Sequence, residues 1–122
     1  MMHLKNTIRT STIAAILAAM PSVAFTEVSD PEIEYLLTTI GSSQCIFTRN
    51  GKDHSSDAAE AHLRMKYGKA RRHIADADEF IDRLASESSW TGVAYSINCQ
   101  DSAKLTSREW LTKRLSTYRA SN

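Results

Sequence analysis

Gln44-Cys45-Ile46-Phe47-Thr48-Arg49-Asn50-Gly51-Lys52-Asp53-His54 is the stretch on which the fold turns. Gln44 to Arg49 alternates and is rich in Ile, Phe and Thr, residues that suit a pleated, half-buried surface, so it reads as a strand. Asn50 and Gly51 both accept the positive φ angles of a two-residue hairpin turn. Lys52, Asp53 and His54 then pair back briefly against the strand just left. A second β segment is expected from Val93 to Asn98, opened by Gly92, with Val93, Tyr95 and Ile97 on one face and Ala94, Ser96 and Asn98 on the other. Cys45 lies in the first strand and Cys99 closes the second.

Helical periodicity fills the rest of the chain. Ser29 or Asp30 caps a first helix, Pro31 stands in its first turn, and Glu32 lies near the positive end of the dipole. Ile33, Leu36, Leu37 and Ile40 follow at helical spacing, and Gly41 is expected to end the helix. Ser55, Ser56 or Asp57 caps a second helix whose stripe runs through Ala59, Leu63, Tyr67, Ala70 and Ile74, with Gly68 in its interior. Asp76 with Glu79 marks a break near Ala75 and opens a third helix carrying Ala77, Phe80, Ile81 and Leu84, which the serines from Ser86 to Ser89 terminate. Thr106 and Glu109 form a capping box, flanked by Leu105 and Trp110 in staple positions, and Leu111, Leu115 and Tyr118 continue a final helix. The expected fold is α+β, four helices around a small antiparallel sheet.

Residues 1–24 have the layout of a Sec-type export signal. Lys5 and Arg9 form a basic lead, and the apolar run from Ile13 to Met20 is shorter than the roughly 20 residues that span a bilayer. Pro21 breaks that run, and the small side chains of Ser22 and Ala24 place cleavage after Ala24. Residues 25–122 are then a single small domain in the periplasm, without stable membrane insertion. In an oxidising space an even cysteine count reads as a disulfide, Cys45 to Cys99, whereas a lone pair of thiols lacks the four-ligand grouping of structural zinc. Closing a loop of about 55 residues contributes at most about 4 kcal/mol, a large share of the several kcal/mol a domain of this size holds.

The chain has 15 basic and 14 acidic side chains; losing Lys5 and Arg9 leaves 13 against 14, a net charge near −1. That balance argues against nucleic acid as a partner, and Arg71 with Arg72, the one short basic cluster, reads as a solvated helix face.

The residues left for chemistry are few. Arg49 stands beside the hairpin turn, where its planar fork of donors suits a carboxylate or phosphate, while Asn50 serves the turn itself. His62 and Lys66 are four apart and share a helix face, and His54 lies just before that helix, so all three can converge with Arg49. His54 and His62 lack a third ligand at convincing spacing, so no metal is expected, and no other cofactor. The serines around Ser88 have no G-x-S-x-G elbow and no Asp and His partners, and read as turn-forming hydroxyls. Tyr95 reads as core with a bonded hydroxyl, whereas Trp90, between Ser89 and Thr91, is an aromatic free to stack on a sugar ring or anchor a partner.

Phe47, Arg49, Asn50, Gly51, His54, Ala58, His62, Leu63, Arg64 and Lys66, then Phe80, Ile81, Ala85, Ser86, Ser88, Ser89, Thr91, Gly92 and Tyr95, resemble as an ordered set the YfeK-like family of small exported bacterial proteins (DUF5329). The likeness is strongest from Cys45 to Tyr95, and Trp110 and Leu111 extend it. It implies periplasmic residence and no established activity. The expected function is a non-enzymatic module that binds an envelope protein or cell-wall component through the Arg49 hairpin and the Ser86 to Gly92 loop, with Arg49, Asn50, His54, His62, Lys66, Ser88, Trp90 and Tyr95 as the candidate binding residues. The alternative is a small cell-wall-directed hydrolase or transferase using His54 or His62 with Arg49. No catalytic residue is assigned, and oligomeric state is left open.

Overall fold

The computed structural model describes residues 30–122 and, upstream, Ala14, Ala15 and Ala19. The export-signal reading of residues 1–24 lies, those alanines apart, outside the described residues. In chain order the elements are α1 (Pro31–Ser42), β1 (Ile46–Arg49), β2 (Lys52–His54), α2 (Ser56–Ala70), a 3-10 turn (Arg71–His73), α3 (Ala77–Leu84), β3 (Ser96–Asn98), β4 (Leu105–Thr106) and α4 (Ser107–Ser121). No helix among the described residues is long and apolar enough to cross a membrane.

Each helix begins where a side-chain oxygen satisfies an orphaned backbone N–H. Asp30 Oδ1 accepts from the N–H groups of Glu32 and Ile33 at 2.9 and 3.3 Å. Ser55 caps α2 and Asp76 caps α3, and Thr106 Oγ1 accepts from Glu109 N–H at 3.1 Å, the cap half of the expected box. At α3 the Glu79 side chain reaches back one residue past the cap, its Oε2 accepting from Ala75 N–H.

The sheet is antiparallel throughout, in the order β2-β1-β3-β4. Its register sets Phe47 opposite both His54 and Ile97, and Ile97 opposite Leu105, so these four side chains form one row across one face. Phe47 and Ile97 are buried, which makes this the core face, whereas Ile46, one residue out of phase, is 43% exposed. His54 therefore ends a core row, and Arg49, two residues beyond Phe47, points the same way.

α1 is the central helix. Ile33, Leu36, Leu37 and Ile40 are all 1% exposed or less, and α1 packs against α2, α3 and α4. Tyr67 meets Phe80 edge-on at 5.8 Å and Phe47 meets Trp110 edge-on at 6.2 Å, linking α2 to α3 and the sheet to α4. Two arginines clamp the helices from outside: Arg64 bonds Glu34 through both terminal nitrogens and Glu60 through Nε, and Arg119 joins Glu32 to Asp78. Cys45 and Cys99 form the disulfide, with Cα atoms 4.3 Å apart, at the end of the β1–β3 pair where Ile46 faces Asn98.

Three boundaries differ from the sequence reading. Gly41 does not end α1; it lies inside the helix, where a Cβ would overlap the carboxylate of Glu60 on α2. The end comes at Ser43, whose N–H and hydroxyl both donate to the Ile40 carbonyl, and at Gln44, which takes a φ of 57°. Ile74 leaves the second helix's stripe: it is buried but follows the 3-10 turn in an extended conformation. The segment from Val93 to Tyr95 stays out of the main sheet because it pairs with the serines before it. Ser88 N–H donates to Val93 O, Tyr95 N–H donates to Ser86 O, and Glu87 bridges Ala94, which leaves Val93 52% exposed. The short β4 at Leu105–Thr106 went unread, since two residues carry no periodicity of their own.

Candidate functional site

Arg49, His54, His62 and Tyr95 line one cavity of about 200 Å³ between the β1–β2 hairpin and α2. Phe47, Ala58, Ala59 and Leu63 give it an apolar wall, and Thr48 and Ser107 complete it. Arg49 and His54 reach it because strand alternation turns them to the core face. His62 reaches it from α2, which contacts β1. Arg49 Nη1 lies against both ring nitrogens of His62, 3.2 Å from Nδ1. A guanidinium only donates, so this contact requires a neutral imidazole to accept. The electrostatics agree: desolvation first, then Coulombic interaction with Arg49, Lys66 and His54, holds His62 below its ordinary value of 6.5.

Lys66, one turn along α2 from His62, is drawn to the neighbouring loop instead. Its Nζ donates to Leu84 O at 2.7 Å and to the Tyr95 hydroxyl at 3.3 Å, and lies 5.4 Å from the Tyr95 ring centroid. It ties α2, α3 and Tyr95 together and leaves the cavity floor to others. His54 Nε2 is buried and has no hydrogen-bond partner. Neither His54 nor His62 bonds to a carboxylate among the described residues, and no group of three or more His, Cys, Asp or Glu side chains there could hold a metal ion.

Asn50 does more than form the turn. With φ of 50° and 75°, Asn50 and Gly51 make the tight hairpin connection, and the Asn50 side chain then spans to the next loop. Its Nδ2 donates to Ser88 Oγ at 3.3 Å and its Oδ1 accepts from Thr91 Oγ1 at 2.7 Å. Ser88 is buried and also accepts from Trp90 N–H, so its hydroxyl is consumed in bracing. Trp90, carried on this brace, is 97% exposed. The two segments singled out from sequence are thus one continuous face.

Of the sequence candidates, the fold brings Arg49, His54, His62 and Tyr95 to the cavity, puts Asn50, Ser88 and Trp90 on the braced face, and gives Lys66 a linking position between them. Ser107 and Thr48 were missed as lining residues; the capping box before Glu109 located the helix start but not the cavity below it. A second cavity, of about 290 Å³, lies beside the disulfide and is lined among others by Cys99, Leu105, Trp110, Lys113 and Arg114; none of the candidate binding residues reaches it.

Fold and site define a small disulfide-stapled α+β domain with a braced loop face and a pocket lined by Arg49, His54 and His62. The chain belongs to the family of unknown function DUF5329, whose match covers residues 27–119. It is similar to a protein of Salmonella typhimurium (strain LT2) described as uncharacterized protein YfeK, with 35% identity over 85 residues, 68% of this chain and 71% of the relative. No solved structure matches the chain.

Proposed function

We propose that this chain acts in the periplasm as a non-enzymatic recognition domain for an envelope partner, through the face made by the hairpin turn and the Ser86 to Gly92 loop. One observation carries the reading: a tryptophan 97% exposed sits on a loop that the Asn50 side chain holds in place through Ser88 and Thr91. An exposed indole on a mobile loop loses conformational freedom when it binds; one on a braced loop loses less, which is how preorganised contact residues gain affinity. The test is Trp90→Ala in intact cells. Melting temperature should stay within a degree or two of wild type, since a side chain this exposed adds little to folding, while recovery of crosslinked envelope material should be lost. Undiminished crosslinking by Trp90→Ala would retire the reading.

A second reading, a hydrolase or transferase acting on cell-wall material, is favoured by the convergence of Arg49, His54 and His62 on one cavity. It is the weaker one, because the partner of His62 is a cation and no carboxylate orients either imidazole among the described residues. Turnover of purified cell-wall fragments that disappears in His62→Ala would establish it.

A further inference from the structure

We propose that the cavity beneath the hairpin is a binding site for a small carboxylate, whose charged head meets Arg49 and whose short aliphatic body fills the space against Phe47, Ala58, Ala59 and Leu63. This goes beyond the Trp90 face and does not depend on it.

Among the described residues, Arg49 has no counter-anion. Arg64, Arg83, Arg108 and Arg119 each pair with at least one carboxylate, whereas the partner of Arg49 among the described residues is a neutral imidazole that engages only Nη1. Most of its donor fork is therefore left for an acceptor, and a planar carboxylate matches that fork with two parallel bonds. His54 supplies the second observation. It lines the same cavity, and its Nε2 is buried without a partner, a state that native structures rarely leave uncompensated. A ligand oxygen satisfies Nε2 once the ring turns that edge toward the cavity, from which it is shielded as the ring stands, in the tautomer that carries the proton there.

Size and wall chemistry narrow the class. About 200 Å³ is below the range of about 300–1,000 Å³ typical of larger ligands, so the occupant is a few heavy atoms rather than a sugar chain or nucleotide. Inorganic phosphate meets the charge but brings nothing to the apolar wall. A short-chain acid brings both, and so does the last residue of a peptide with a free C-terminus; the two sources share one chemistry.

The test uses the disulfide-bonded protein, with butyrate as the free acid and N-acetyl-alanyl-alanine as the peptide C-terminus, each beside its amide. Binding is read by the ring signals of His54 and His62 in nuclear magnetic resonance and by calorimetry. At least one acid should shift both histidines saturably, and its amide should bind about tenfold more weakly or worse, the loss expected when a charge-assisted pair is removed. Which acid responds tells a free metabolite site from a peptide-terminus site. Arg49→Gln should lose about tenfold or more while Arg49→Lys retains part, and Trp90→Ala should bind as wild type does. Ala58→Leu, at an exposed position on the cavity rim, narrows the space without touching the charge and should also lose binding. If neither acid moves the histidine signals at tens of millimolar, or if acids and amides bind alike, the proposal is overturned.

Discussion

Protonating His62 sets an imidazolium against a guanidinium, because Arg49 offers only donors and a protonated ring has no acceptor to meet them. Burial, Arg49 on β1, Lys66 on α2 and His54 on β2 all hold His62 below 6.5, so the unfolded chain takes up the proton first as pH falls. The sign follows from linkage: the contribution is fully present above about pH 6.5 and is lost as pH drops through the depressed folded value. Urea unfolding of wild type should show lower stability at about pH 5 than at about pH 7.5, and His62→Gln should flatten that difference. Glu34, lowered chiefly by its bond to Arg64, acts in the same direction only near and below its ordinary value of 4.5, which keeps the two effects apart. At Asn50, glycine keeps the positive φ but removes the brace, so Asn50→Gly should cost about 1 kcal/mol and speed amide exchange of Trp90 and Gly92. Legibility at this scale was uneven. Strand alternation already turned Arg49 and Phe47 to one face, and helical spacing paired His62 with Lys66. Nothing in the sequence could show that the Lys66 ammonium would be taken by Leu84 O and Tyr95, since those partners are set by how α3 and its loop dock.

Gly41 tests how the helices fit together. Alanine there displaces the flexible carboxylate end of Glu60 and loosens its bond to Arg64, a loss of about 0.5–1 kcal/mol that offsets what alanine gains over glycine in a helix. In a Glu60→Ala background the same substitution should become stabilising by about 0.5–1 kcal/mol, because Ala is then simply the better helix former. Thermal or urea denaturation of the four proteins in this double-mutant cycle checks both halves. Starts of helices were legible because a cap is a local event, one side chain meeting an amide two or three residues on, as at Asp30, Asp76 and Thr106. Ends and edges were not. Gly41 looked like a terminator and is a close-approach site, and residues 93–95 looked like sheet and pair with Ser86–Ser88, because in each case the deciding neighbour is remote or the competition is between two nearby partners.

The molecule as a whole is a small domain in which a 54-residue separation is closed by one covalent bond, joining the ends of the two central strands. Replacing Cys45 and Cys99 together by Ala should lower stability by up to about 4 kcal/mol, measured by urea unfolding against the oxidised protein. If the sheet loosens with it, the cavity that Phe47, Arg49 and His54 line should lose its shape as well, so the histidine signals of the double variant should move toward those of a solvated imidazole. The architecture was legible because the NG turn, the four caps and the paired cysteines agree with one another. The cavity was not, since its apolar wall is ordinary core seen from one end. We propose export as the condition common to these levels, since an oxidising compartment favours the Cys45–Cys99 bond. The most direct measurement is the intact mass of the protein recovered from cells under alkylating conditions. A chain beginning at Phe25, unalkylated and lighter by two hydrogens than its reduced form, is the predicted result; a chain that keeps residues 1–24, or one carrying two alkylated thiols, contradicts it.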